Sequence, residues 1–483
     1  RYLFRTGHYI SDNETRIARH LIDYSSEKIK KLAQEIVKAY FRSFKLGNKD
    51  ITGKKTVGLV YKVGLERIYR EIIKEFRANK LETTVIDAFS TAVNKQLNHD
   101  HKFDNALYLN EEHMEAAITR FTAGLEKTKD ILAGYSGFLY IVNFGEKRFT
   151  PENKKERLKL TAEQTKLFQK LNSEVMQVYH KYVPPPETSF CMIAFPVPEI
   201  GEKFEEIFEA TLEINMLDSE KHEQIQQKII DVLDQADAVH VKGKGENETN
   251  LVVKLHELEN PERETNFVNS GASSNIPAGE VFTSPRLAGT NGAFHIEVTY
   301  QGNLRYDNLK LVFKDGFLKS YSCTNFENEE ENSKYIEENL LFPHKTLPMG
   351  EFAIGTNTLA YSVSKKYNIS NVLTVLILEK TAPHIALGDT CFMHREDLKS
   401  YNQFNGKEIV ATENEKSVLR KTNMAEAYTN KHVDITLDFD SIDFIAAVKG
   451  NGERINIVKD GRFVLEGTEE LNKPLEELSY NNR

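Results

Sequence analysis

Residues 309–321 read Leu309-Lys-Leu-Val-Phe-Lys-Asp-Gly-Phe-Leu-Lys-Ser-Tyr321, two β-rich runs parted by Lys314-Asp315-Gly316. An Asp-Gly pair readily takes the positive φ angles of a tight hairpin turn, so this stretch predicts two antiparallel strands. Outward from it, short β-rich runs recur at Asn250 to Leu255, Val281 to Ser284 and Ala293 to Tyr300. A helix is expected at Glu327 to Leu340, and apolar strands at Val372 to Leu378 and Ile435 to Phe439. The second half therefore reads as an α+β unit with a largely antiparallel sheet.

Upstream the pattern is different. Ser26 to Phe44 has helical periodicity, Thr56 to Tyr61 is an apolar run, Leu65 to Asn79 is amphipathic, and Leu81 to Ile86 is again β-rich. Alternation of this kind predicts an α/β unit with a parallel sheet. Gly137 to Asn143 and Phe190 to Phe195 are further strand candidates. Pro151 to Lys181, Glu202 to Ile214 and Ser219 to Gln235 carry helical periodicity, and Pro184-Pro185-Pro186 reads as a loop. The polar segment Lys242 to Asn250, with Gly243-Lys-Gly245, reads as a linker after the short strand Ala238 to Val241. Two domains are expected, 1–240 and 241–483, in keeping with a chain of 483 residues.

Composition narrows the function. The chain is 40% hydrophobic and 28% charged, the profile of a globular protein with a sizeable core. Its 72 acidic and 63 basic residues leave a formal charge of -9, which argues against a general nucleic-acid or anionic-membrane surface. The three cysteines, Cys191, Cys323 and Cys391, are widely spaced and suggest neither a disulfide framework nor a thiolate zinc motif. No apolar run approaches the roughly 18 residues that a membrane span requires. A cytoplasmic location is the expectation. Residue 1 is arginine rather than methionine, which leaves preceding residues and a removed targeting segment open.

Four segments combine metal-capable side chains with residues that restrain the backbone: Asn275-Ile-Pro-Ala-Gly-Glu280-Val-Phe, Gly350-Glu351-Phe-Ala-Ile-Gly-Thr-Asn357, Glu379-Lys-Thr-Ala-Pro-His384-Ile-Ala-Leu-Gly388 and Asn430-Lys-His432-Val-Asp434. Singly each is weak. A glutamate after Pro-Ala-Gly is most often a solvated turn residue, and an isolated histidine at a strand end is as often a capped core residue as a ligand. In His432-x-Asp434 an extended backbone puts both side chains on one face, as two ligands of one ion require, although a surface salt bridge explains the pair nearly as well. Together Glu280, Glu351, Glu379, His384, His432 and Asp434 supply four carboxylates and two imidazoles, a set suited to Zn²⁺, Co²⁺ or Mn²⁺. A carboxylate among them could bridge two ions.

Over about residues 250 to 440 the motifs NIPAGEVFTSP, GTNG, FKDG, MGEFAIGTN, EK, HIALG and NKHVD follow one another. In that order they resemble the thermophilic-aminopeptidase family of dinuclear metallopeptidases, the aminopeptidase S and T type. The resemblance implies a two-domain, homodimeric aminopeptidase that removes N-terminal residues from short peptides with a free amine. It also implies two metal ions held by Glu280, Glu351, Glu379, His384, His432 and Asp434, with Glu351 either a bridging ligand or the catalytic base. Glu379 can be cast as that base equally well. The family has a tyrosine shortly after its HIALG-like motif, where this chain reads Asp389-Thr390-Cys391-Phe392. Cys391, Tyr401 or nothing takes its place. Two other readings stay open: a different dinuclear amidohydrolase on the same ligands, and a non-catalytic binding or scaffold relative.

Overall fold

The computed structural model describes residues 7, 9–92, 94–149, 151–152, 154–301 and 304–481. Four strands, in the order Glu82–Phe89, Thr56–Lys62, Tyr135–Phe144 and Ser189–Pro196, form a parallel sheet. The apolar run at Thr56 and the helices around it account for this. In Glu66–Ala78, Ile68, Tyr69, Ile72 and Phe76 are buried at helical spacing, and this helix packs on Ser26–Leu46, which in turn covers the sheet. Their side chains share one apolar cluster with Val57, Leu59, Leu139, Ile141, Cys191, Ile193 and Phe195.

From Ala238 onward the pairing is antiparallel almost throughout. Eight strands run Phe317–Ser322, Leu304–Lys314, Arg286–Gln301, Asn250–Lys254, Ala238–Gly243, Ile442–Val448, Arg454–Lys459 and Arg462–Phe463 across one sheet. A second sheet has five strands, in the order His432–Thr436, His384–Gly388, Met349–Gly355, Glu280–Thr283 and Val268–Ser270. The two sheets share a large core, with Val241, Val253, Phe294 and Leu311 from one and Val281, Phe352, Ile385 and Ile435 from the other. A third cluster joins Phe144, Ala194, Ile207 and Ile214 to Ala360, Ile369, Leu376 and Ile377. Among the described residues no helix is long and apolar enough to cross a membrane.

The hairpin expected at Lys314-Asp315-Gly316 is present. Lys314 pairs with Phe317, and Asp315 and Gly316 take φ values of 46° and 71°. Four expectations are corrected. Val372 to Leu378 is not a strand: a 3₁₀ turn over Ser370–Val372 leads into the helix Val375–Thr381. Leu376, Ile377 and Lys380 are buried there while Val375 stays exposed, a helical rather than an alternating pattern, which a short apolar run does not reveal. The segment Lys242 to Asn250 is a hairpin rather than a linker, since Lys242 pairs with Asn250. The strand expected at Ile435 to Phe439 runs instead over His432–Thr436, and Phe439 lies in a 3₁₀ turn beyond it. The helix expected from Pro151 starts only at Ala162, where Thr161 and Gln164 form a capping box.

Candidate metal centre

The five-stranded sheet puts its two faces to different uses, and register decides which side chain goes where. Glu351 lies opposite Ala386, and Ala386 lies opposite Asp434. His384 faces Ala353 on one side, and His432 faces Gly388 on the other. Glu280 pairs with Gly355. Because cross-strand partners share a face and alternate residues along a strand return to it, Glu280, Glu351, His384, His432 and Asp434 all project from the same side. Phe352, Ile354, Ile385, Leu387 and Ile435 fall on the other side, in the core.

Two devices make this possible. The first is a register shift between Met349 and Glu351. The extra residue, Gly350, lets Met349 point into the core while Glu351 points to the opposite face. A Cβ at Gly350 would stand 2.1 Å from the Asp389 carbonyl oxygen, so only glycine fits. The second is a floor of small residues, Ala353, Gly355, Ala386 and Gly388, among the acidic and imidazole groups. The strand Met349–Gly355 is buried over its whole length.

Glu379 and Lys380 reach the cluster from the helix Val375–Thr381. Lys380, 1% exposed, pairs with Glu280 and lies 2.7 Å from Glu379 Oε1. Glu351 spans the centre: Oε1 is 3.3 Å from His384 Nε2 and Oε2 is 3.3 Å from His432 Nε2. Glu280 Oε2 is 3.6 Å from His384 Nε2, and Asp434 Oδ1 is 3.4 Å from His432 Nε2. His432, with its side chain 32% exposed, is the member open to solvent.

Both imidazoles present Nε2. His432 Nδ1 is 2.7 Å from the Asp389 carbonyl oxygen and His384 Nδ1 is 3.4 Å from that of Ala382. A carbonyl can only accept, so Nδ1 carries the proton and a neutral ring turns its Nε2 lone pair inward, the arrangement found for histidine ligands.

The charges act on one another strongly. Burial opposes ionisation of Glu351, but the two imidazoles beside it win and hold its carboxyl well below the usual range. Burial likewise works against charge on His384, yet Glu351, Glu280 and Asp434 raise it to about 9. Glu379 moves up to about 8, through burial first and then the neighbouring Glu280 and Asp434 carboxylates, against the pull of Lys380. Lys380 remains firmly charged because Glu280 and Glu379 outweigh its burial.

All six side chains singled out in the sequence meet in this cluster. Lys380, in the Glu-Lys motif itself, adds to them, and Cys391 joins from the turn three residues beyond the strand His384–Gly388. Two sets of donors, Glu280/Glu351/His384 and Glu351/Cys391/His432, each lie within 4.8 Å of one another, and Glu351 belongs to both. Glu280 Oε2 and Asp434 Oδ1 are buried without a hydrogen-bond partner among the described residues. Unsatisfied carboxylate oxygens at such positions are costly unless a cation meets them, so the cluster fits divalent metal.

Comparison with known proteins gives the cluster a context. A family model described as thermophilic metalloprotease (M29) matches residues 72–463. Among solved structures, wild-type AmpT from Thermus thermophilus superposes with a TM-score of 0.52 at 15% identity, over 91% of this chain and 99% of that one, so the two share a fold. No curated protein sequence matches the chain.

Proposed function

The chain belongs to the thermophilic metalloprotease (M29) family, and from that premise we propose that it is an aminopeptidase, removing N-terminal residues from short peptides by a two-metal mechanism. The observation that carries the reading is the single carboxylate of Glu351, which touches both imidazoles. Zn²⁺, Co²⁺ or Mn²⁺ would be held by Glu280, Glu351 and His384 on one side and by Glu351, His432 and Asp434 on the other, with Glu379 beside them. When bound, the two ions supply Lewis acidity for the scissile carbonyl and for the attacking water.

The protein's own groups divide the remaining work. Glu351, with one oxygen against each imidazole, would be the ligand common to both positions rather than the base. Glu379 is the better proton carrier: its contacts with Lys380, at 2.7 Å, and with Asn275, at 3.5 Å, both fall on Oε1. Oε2 is left to take a proton from water and return it to the departing nitrogen, as a general base and acid must. Lys380 positions that carboxylate. The carboxylate-rich hollow suits a substrate amine, which restricts cleavage to the chain terminus. On the resemblance we also propose two domains, 1–240 and 241–483, a homodimer and a cytoplasmic location.

The test uses the full chain, an aminoacyl amide with a free amine, and its N-acetylated form. We expect bound divalent metal, cleavage of the free amine only, and loss of activity on chelation. Equal cleavage of the acetylated form would replace an aminopeptidase with another amidohydrolase. One feature favours a non-catalytic relative instead, namely the lysine already paired with Glu280 and Glu379. A chain that binds no Zn²⁺, Co²⁺ or Mn²⁺ and cleaves neither substrate would establish that alternative.

A further inference from the structure

Cys391 stands on the turn that follows the His384 strand, and it faces inward. Its Sγ meets Glu351 Oε2 and is 3.9 Å from His432 Nε2. The turn is held in place: Arg395 donates to the Cys391 carbonyl oxygen at 2.7 Å, and the neighbouring Phe392 packs into an apolar cluster with Val268 and Ile409. The same imidazole nitrogen is 3.4 Å from Asp434 Oδ1, which is buried and without a hydrogen-bond partner among the described residues. A sulfur and two carboxylate oxygens thus lie within 3.9 Å of His432 Nε2. None of the other described cysteines is so placed, since Cys191 and Cys323 lie in separate apolar clusters.

We infer that Cys391 is itself a metal ligand, a thiolate that completes the His432 side of the centre together with Glu351 and Asp434. The inference rests on the two-metal reading and deepens it by making the two sites chemically unlike. The Glu280/Glu351/His384 side offers oxygen and nitrogen only, whereas the His432 side gains a soft donor. Thiolate favours Zn²⁺ or Co²⁺ over Mn²⁺ or Mg²⁺, so the two positions differ in which ion they select. Coordination breaks the Sγ–H bond, forms a metal–sulfur bond and releases the proton to solvent water. No oxidant takes part. In the absence of a cation the thiol donates to Glu351.

Cobalt reports on this directly. The full chain, stripped and reloaded with Co²⁺, is expected to show an intense near-ultraviolet sulfur-to-cobalt charge-transfer band. Cys391→Ser is expected to lose it, while Cys323→Ser keeps it. Co²⁺ bound without the band, or a band that survives in Cys391→Ser, would overturn the thiolate ligand and leave the metal centre standing. Failure to bind Co²⁺ at all would overturn both readings. If Cys391→Ser does not fold, X-ray absorption of the wild-type Zn²⁺ form decides. A sulfur neighbour at about 2.3 Å supports the assignment, and a shell of nitrogen and oxygen alone overturns it.

Discussion

The parallel sheet of the first half and the five-stranded sheet of the second are both packed on an apolar face, yet they treat the opposite face differently. In the parallel sheet Leu139 and Ile141 enter the core while Phe138, Tyr140 and Val142, between and beside them, are only half-covered. In the strand Met349–Gly355 the opposite face is fully buried and carries Glu351 between small residues. The first region is held by apolar volume. The second also needs its charges to balance, because a buried charge that loses its partner costs far more than a missing methyl group. Substitutions in the two regions should therefore respond differently to metal.

The largest effect is expected from Glu351→Gln. Loss of even an outer-shell partner lowers metal affinity about 10- to 100-fold, so loss of the shared carboxylate should exceed that range, and metal titration with the activity assay checks it. Next comes Lys380→Met, which leaves Glu280 and Glu379 buried without their cation. We expect the metal-free protein to lose about 3–5 kcal/mol in denaturant unfolding, with part of the loss recovered on adding Zn²⁺. Leu139→Ala in the parallel sheet should cost about 2–5 kcal/mol through its cavity, equally with and without metal. A metal-dependent cost there would erase the contrast.

The smallest effect concerns pH and comes from the helix Ser219–Leu233. His222 meets Thr356, just beyond the Glu351 strand, through an Nε2 contact of 2.9 Å. Burial, partly offset by the Thr356 backbone and the Glu470 carboxylate, lowers its pKa to about 4. The unfolded chain therefore binds the extra proton first as pH falls below about 6.5. The contribution is complete above that value and is lost as pH drops towards about 4, amounting to about 2 kcal/mol once partial exposure is allowed for. His222→Gln should flatten stability across that window, and melting curves measured through it provide the check.

Much of the scaffold was legible in the sequence because its signals are local. The Asp315-Gly316 turn, the apolar run at Thr56 and the amphipathic helix at Glu66 each announce themselves within a few residues. The helix Glu111–Ala133 does not, since Met114 is its only buried residue and no apolar stripe marks it. Val375–Thr381 is a helix that looks like a strand in the sequence, because a short apolar run has no period to tell the two apart. For the centre, the residue types and their order could be read, but their meeting could not. It depends on cross-strand register between segments far apart in sequence, and on the extra residue at Gly350. Lys380 was passed over for a related reason: a lysine reads as solvated until the helix that buries it is known.

The extra residue at Gly350 has a consequence for how this strand can change. An exchange of one side chain disturbs its own position, but removing or adding a single residue between Met349 and Glu351 would turn every later side chain over, sending Glu351 into the core and Phe352 into the charged hollow. Insertions and deletions tolerated in surface loops are therefore barred here. Over Met349–Gly355 the protein is bound in the length of the segment as well as in the residues at Gly350 and Glu351.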